Sequence, residues 1–350
     1  MTTNYRIAVR VCSAAGAIFL AAIAFGILMW ASGKNPFLTL GAILQGAFGT
    51  TFGLKESLTR ATPLLLCSLA VALPARAGLF NIGGEGQLYF GATVATAVVL
   101  RGSWLPHGMA LPVVIGASML AGAAWGLWPG LLRAYLKVNE ILIGLMLNFI
   151  AILLVEYLVH GPWKDPTALG WPYSIAFPTW AVLPRFPGSN VHLGLLLGIA
   201  FAVVTYLVLR LTTWGFSAGV MEASPSTARY AGVRITRYVI ALMMLGGAFA
   251  GLAGLGEVSV IQGRLRPGLS PGYGYTGFLV AWLADNHVLW LIPVAIFVGG
   301  LYAGADAVQL TAGLPSAMAD IFMGLVFAGF LVSASLRERL TRWLIRVEVE

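Results

Sequence analysis

Long apolar runs separated by short polar joints set the pattern of this chain. About 20 apolar residues carry a helix across the hydrocarbon core of a bilayer. Runs near that length lie at 11–31, 110–132, 141–159, 191–209, 238–258, 288–305 and 318–334. Three further segments are shorter or interrupted: 64–73, closed by Pro63 and Pro74; 88–100; and 277–284. Together they predict an all-α integral membrane protein of about ten transmembrane helices in one polytopic domain over 1–350. The amphipathic, glycine-rich stretch 37–52 fits an interfacial segment, 161–190 an outer loop and 212–237 a cytoplasmic loop. Arg6 and Arg10 ahead of the first run imitate the start of a signal peptide. That run exceeds a cleavable core of about 7–15 residues, so we expect an uncleaved first helix.

Composition narrows the class. The chain is 59% hydrophobic and 10% charged, with a mean hydropathy of +0.87; soluble domains carry roughly 25% charged residues. The net charge of +8 is scattered through loops, whereas nucleic-acid binding needs a clustered basic face. Of the 21 Lys and Arg residues, 13 fall on the side that holds both ends of the chain. The positive-inside rule therefore places both termini in the cytoplasm. Cys12 and Cys67 sit in apolar runs and are expected to be small buried hydrophobes. The four histidines are dispersed, so neither a metal nor another cofactor is expected. No glycine stands at Walker A spacing before a lysine, and no hydrolase or zinc-protease motif occurs, so no catalytic activity is expected.

The polar, glycine-rich stretch 78–87 lies between two apolar runs and carries Asn81, Glu85 and Gln87. Polar groups at membrane depth are paired or line a hydrated path, and irregular backbone there needs protein or a cavity around it. Two readings follow: a lining that a solute meets, or a re-entrant turn whose side chains satisfy freed backbone. A second interruption, 268–277, holds Tyr273 and Tyr275. If the chain divides into five plus five crossings at 161–190, each interruption follows the second helix of its half. The halves would then be inverted repeats, with broken helices marking a transport site. Glu140 and Asn148, eight residues apart, share one helical face. Asn148 is either a solute contact or interhelical glue, and Glu140 suits a helix N-terminus. In the loop 212–237, Ser224 can cap a short helix opened by Pro225 and stopped by Gly232. That element is either a docking site for a cytoplasmic partner or a plain connector.

The run from Gly78 to Gly91 resembles a signature of the permease subunits of bacterial ABC importers for nucleosides and simple sugars, with ribose and branched-chain amino-acid permeases as more distant relatives. The runs 138–151, 225–232 and 271–276 are similar to further motifs of that family, and the likeness extends over essentially the whole chain. Ahead of Pro225 the chain departs from the family pattern: Gly219, Glu222 and Ser224 replace its Arg, Gly and Asn. The resemblance implies a non-catalytic subunit in the bacterial inner membrane. Its partners would be ATPase subunits, a second permease subunit and an extracytoplasmic binding protein that delivers a nucleoside or sugar. It puts Phe80, Asn81, Glu85, Gln87, Asn148, Tyr273 and Tyr275 along the path. It puts Glu222, Ser224, Pro225, Arg229 and Tyr230 at the ATPase contact. The rival is a secondary transporter driven by an ion gradient, with Glu85 as the ion site.

Overall fold

A computed structural model describes residues 33–102 and 106–312 without interruption, together with 22–31, 324–329 and the positions 16, 19, 20, 321 and 332. Part of the expected first span, about half of the last, and Cys12 therefore lie outside the described residues. The chain folds as α1 (Ala22–Ala31), α2 (Pro36–Leu44), α3 (Thr51–Ala75), α4 (Gly84–Arg101), α5 (His107–Leu136) and α6 (Glu140–His160). There follow α7 (Leu193–Leu211), α8 (Thr213–Ala223), α9 (Pro225–Tyr230), α10 (Ile235–Gly256), α11 (Tyr273–Leu283) and α12 (Leu291–Ala312). Single π-turns extend α2 and α10. No strand forms among the described residues.

Six of these helices are long and apolar enough to cross a membrane: 51–75, 108–136, 140–160, 193–211, 235–261 and 288–309. The all-α membrane class follows. The apolar segment 64–73 is not a separate short piece; it is the second half of the 25-residue α3, with Pro63 and Pro74 inside the helix. The carbonyl that Pro74 frees, that of Ala70, accepts instead from Asn81 Nδ2 at 2.9 Å. Such side-chain bonds make proline tolerable in membrane helices. By contrast, α11 has 11 residues and spans only about 16 Å, short of the roughly 30 Å hydrocarbon core.

Two compact units divide the chain, 1–57 with 299–350, and 58–298. In the first, Gly300 lies under Phe48 and Gly304 under Ile43, while Ser57 donates to the Ala47 carbonyl at 2.8 Å. In the second, α10 is the central helix, packed on α5 and α4, while α4 also meets α6 and α11. Within its apolar stretch α10 is 78% buried and α6 only 22%, so α10 is the core helix and α6 packs on the outside of this unit. Small residues make the central crossing. Gly122 of α5 and Gly247 of α10 each leave room for the other's carbonyl, and Gly251 leaves room for the Ser118 carbonyl. Lipid offers no hydrophobic gain to helix association, so close backbone approach through glycine takes its place.

The loop 161–192 is docked rather than free. Ser174 N–H donates to the Leu265 carbonyl at 2.9 Å, Phe177 N–H to the Gly263 carbonyl at 2.8 Å, and Arg185 to the Val260 carbonyl at 2.7 Å. His192, just outside the α7 span, caps that helix through Nδ1, which accepts from the Gly194 N–H at 3.1 Å. Burial, and then the Arg185 guanidinium, push its imidazole down from 6.5 to about 4. The unfolded chain thus binds this proton more readily than the folded one. Stability from His192 is complete above about pH 6.5 and is lost as the pH falls through the window toward 4. We expect a loss of about 2 kcal/mol near pH 5. A thermal-melt series across that window tests this, because His192→Gln should flatten it; an unchanged slope would refute the assignment.

Candidate functional site

The site grows from the first turn of α4. Its N-cap is Gly83, which has no side chain to offer the orphan N–H groups. Gly83 is held small by its neighbour, because Gly144 of α6 lies 3.3 Å from where a Cβ would stand. Asn148, one turn further along α6, supplies the missing cap. Its Oδ1 accepts from the Gly86 N–H at 2.7 Å, and its Nδ2 donates to the Ile82 carbonyl (3.0 Å) and the Tyr275 hydroxyl (3.2 Å). One turn before Gly144, Glu140 accepts from the Phe80 N–H at 3.3 Å and pairs with Arg133 at 3.2 Å. Glu140, Gly144 and Asn148 form one stripe of α6 that fixes the loop 80–86. The asparagine N-cap of α6, Asn139, places Glu140 in the first turn.

Asn81 and Gln87 close the loop from inside. Asn81 Nδ2 donates to Gln87 Oε1 at 3.0 Å and to the Ala70 carbonyl at 2.9 Å, and Gln87 Nε2 returns a bond to Asn81 Oδ1 at 3.1 Å. Both side chains are fully buried. Reciprocal amide pairing is the arrangement that makes two buried carboxamides cheap.

Glu85 joins the two sequence interruptions. Its Oε2 accepts from the Gly274 N–H, in the first turn of α11, at 2.7 Å, and Ser270 and the Gly272 backbone also bond to it. Gly274 and Gly84 abut so closely that a Cβ on Gly274 would overlap Glu85. Helices α4 and α11 therefore meet first turn to first turn, and one carboxylate faces both positive helix ends. Ser270 builds the start of α11, its Oγ accepting from Gly272 N–H (3.1 Å) and Tyr273 N–H (2.9 Å). Gly272, the N-cap, has φ +94, a left-handed conformation suited to glycine.

The expected path residues thus fall in one place, in two surroundings. Asn81, Glu85, Gln87, Asn148 and Tyr273 are buried, and the four polar side chains among them make internal bonds. Phe80, 40% exposed, and the half-buried Tyr275 present surface. Four residues that sequence reasoning passed over belong to the cluster: Gly144, Ser270, Arg133 and Trp125. Trp125 stacks on Phe90, ring centroids 4.3 Å apart, and its buried indole N–H has no partner among the described residues. A small residue four before Asn148 on the same face was the available signal for Gly144. Glu257, at the end of the apolar run 238–258, is buried within the π-turn of α10.

On the other candidate surface, α9 opens as the sequence predicts. Ser224 Oγ accepts from the Thr227 N–H at 3.3 Å, Pro225 occupies the first turn, and Gly232 at φ +79 follows the helix. Glu222, Pro225, Arg229 and Tyr230 are exposed, Tyr230 to 94%. Between α7, α8, α9 and Arg76 lies a cavity of about 600 Å³. No group of three or more metal-ligating side chains occurs among the described residues.

Comparison with known proteins agrees with this architecture. The family described as branched-chain amino acid transport system / permease component matches residues 53–331. A glucose ABC transporter permease protein of Haloferax volcanii is 37% identical over 91% of this chain and 87% of its own length. A guanosine ABC transporter permease protein of Bacillus subtilis is 30% identical over 92% and 93%. A nucleoside ABC transporter permease protein of Lactococcus lactis is 29% identical over 82% of each. With a family match over residues 53–331 and relatives of 30–37% identity along nine-tenths of the chain, the chain belongs to the branched-chain amino acid transport system / permease component family of membrane permeases.

Proposed function

We propose that this chain is the translocation subunit of an ABC importer that carries nucleosides or simple sugars across the cytoplasmic membrane. The observation that supports it most is its likeness, over about nine-tenths of both chains, to permeases named for glucose and guanosine. The chain does no covalent chemistry. Separate ATPase subunits bias which of its conformations is populated, a second permease subunit completes the pore, and an extracytoplasmic binding protein delivers the solute. We place the ATPase contact on the end of α8 and on α9, through Glu222, Ser224, Pro225, Arg229 and Tyr230. We place the solute path beside the junction of α4 and α11. There Phe80 and Tyr275 are the surfaces for a base or sugar face, and Asn81, Glu85, Gln87, Asn148 and Tyr273 hold the broken helices open beside it. The proposal includes ten crossings in one domain, inverted halves, an interfacial 37–52, a periplasmic 161–190 and cytoplasmic termini. Support for inversion comes from the first-turn meeting of α4 and α11, the helices that follow the two interruptions.

Purification from its native membrane in mild detergent tests the central point. A Walker A ATPase is expected to accompany the chain, and uptake by cells is expected to fail on ATP depletion and to survive uncouplers. Uptake that survives ATP depletion and collapses with uncouplers, with no ATPase recovered after cross-linking, would overturn it in favour of an ion-driven carrier. Cysteine labelling tests the topology: a thiol at Thr167 should react from outside intact cells and one at Ser226 only after permeabilisation.

A further inference from the structure

The cavity beside α9 has a composition that a solute path does not require. Arg76 stands at one side and Arg210 at another, while Leu209, Phe216 and Val220 line it with apolar surface and Gly219 leaves it open. Arg76 is exposed and makes no side-chain hydrogen bond or ion pair among the described residues. Arg210 is fixed over the Tyr206 ring, 5.7 Å from its centroid, with Nη1 donating to the Tyr206 hydroxyl. A guanidinium has five N–H donors, so Arg210 keeps donors for an anion while its position is set. Glu222 is the only acid between Asp165 and Glu257, and it pairs with neither arginine. Phe216, among the apolar lining residues, is 73% exposed, and Ser224 and Thr227 add hydroxyls on the α9 side. The cavity sits where α7 ends and α8 begins, at the end of a membrane-spanning helix.

Two cations within an apolar-lined pocket at a helix end match a phosphate head with acyl chains, and basic pockets of this kind at the cytoplasmic side take anionic lipid heads. We propose that this cavity binds the head group of an anionic phospholipid of the inner leaflet. Arg76 and Arg210 hold the phosphate, and Leu209, Phe216 and Val220 lie along the first acyl carbons. The proposal rests on the reading that α8 and α9 face the cytoplasm. A bound lipid would form one wall behind α9 and tie its position to the composition of the leaflet.

Native mass spectrometry of the purified chain, exchanged into micelles carrying either phosphatidylglycerol or phosphatidylcholine, tests this without any ATPase present. We expect one phosphatidylglycerol to survive activation that strips phosphatidylcholine, and 10 mM inorganic phosphate not to displace it. Arg76→Gln with Arg210→Gln should weaken retention roughly 30-fold, about fivefold per guanidinium. Gly219→Leu keeps both charges and fills the cavity. A Cβ at Gly219 meets nothing within 4 Å, so this variant should fold normally and lose the lipid. Equal retention of the two lipids, or unchanged retention in Gly219→Leu, overturns the proposal. Displacement by phosphate alone assigns the site to free phosphate and overturns the lipid. None of these results bears on whether an ATPase co-purifies, so the two proposals fail separately.

Discussion

Gly251→Leu is expected to leave almost no folded protein in detergent extracts. At this point α10 crosses α5 and α4 with backbone against backbone. A Cβ on Gly251 would overlap the Ser118 carbonyl and stand 3.1 Å from Gly122 Cα, and Gly91 of α4 already touches Gly251 from the other side. Overpacking commonly costs about 1–3 kcal/mol because side chains shift to other rotamers. Here the obstructing atoms are main chain on both sides, so relief requires moving whole helices. We expect a loss above about 4 kcal/mol, a large part of the roughly 5–15 kcal/mol that holds a domain together. Gly251→Ala should cost less, about 2–3 kcal/mol, since one methyl needs a smaller displacement. The check is the monodisperse yield on size exclusion together with the thermal midpoint, against Gly219→Leu in open space. A wild-type midpoint for Gly251→Leu would show that the crossing is looser than described.

Glu85 should give the second large effect, and its two substitutions should separate charge from hydrogen bonding. Glu85→Ala removes the acceptor for the Gly274 N–H and for the Ser270 hydroxyl, while the Gly272 N–H keeps its bond to Ser270 Oγ. Leaving buried donors unsatisfied costs about 1–3 kcal/mol per group, and the positive ends of α4 and α11 would face each other without a carboxylate. We expect Glu85→Ala to lower the melting midpoint strongly and to abolish uptake. Glu85→Gln keeps an acceptor oxygen and loses the charge. It should retain most of the fold and its ATPase partner while uptake falls at least about tenfold, the effect of roughly 1.4 kcal/mol on a barrier. Normal uptake by Glu85→Gln would remove this carboxylate from the transport cycle and leave it only a helix-joining role.

Much of this was legible in the sequence because membrane helices obey a local rule. Each must satisfy its own backbone, so length and hydropathy alone locate 110–132 and 141–159 inside α5 and α6, and 191–209 within two residues of α7. The capped start of α9 is equally local: Ser224 and Pro225 act on backbone groups within one turn. The prolines of α3 misled for a related reason. A proline breaks a helix in water, where freed carbonyls are solvated at will, but here the carbonyl that Pro74 frees, that of Ala70, is taken by the Asn81 side chain from beyond the helix end.

The sequence by itself determined the membrane class, the positions of the proline-free apolar helices and of α5, and which polar residues stand in apolar surroundings. Only the tertiary structure decided what those polar residues face. Glu85 meets Gly274 across 189 positions of sequence, and Asn148 caps a helix whose own N-cap is 65 residues earlier. No periodicity encodes such pairings, because each depends on where α4, α6 and α11 come to rest. That is set by which backbones can approach through glycine, a property of two surfaces at once and of neither segment alone.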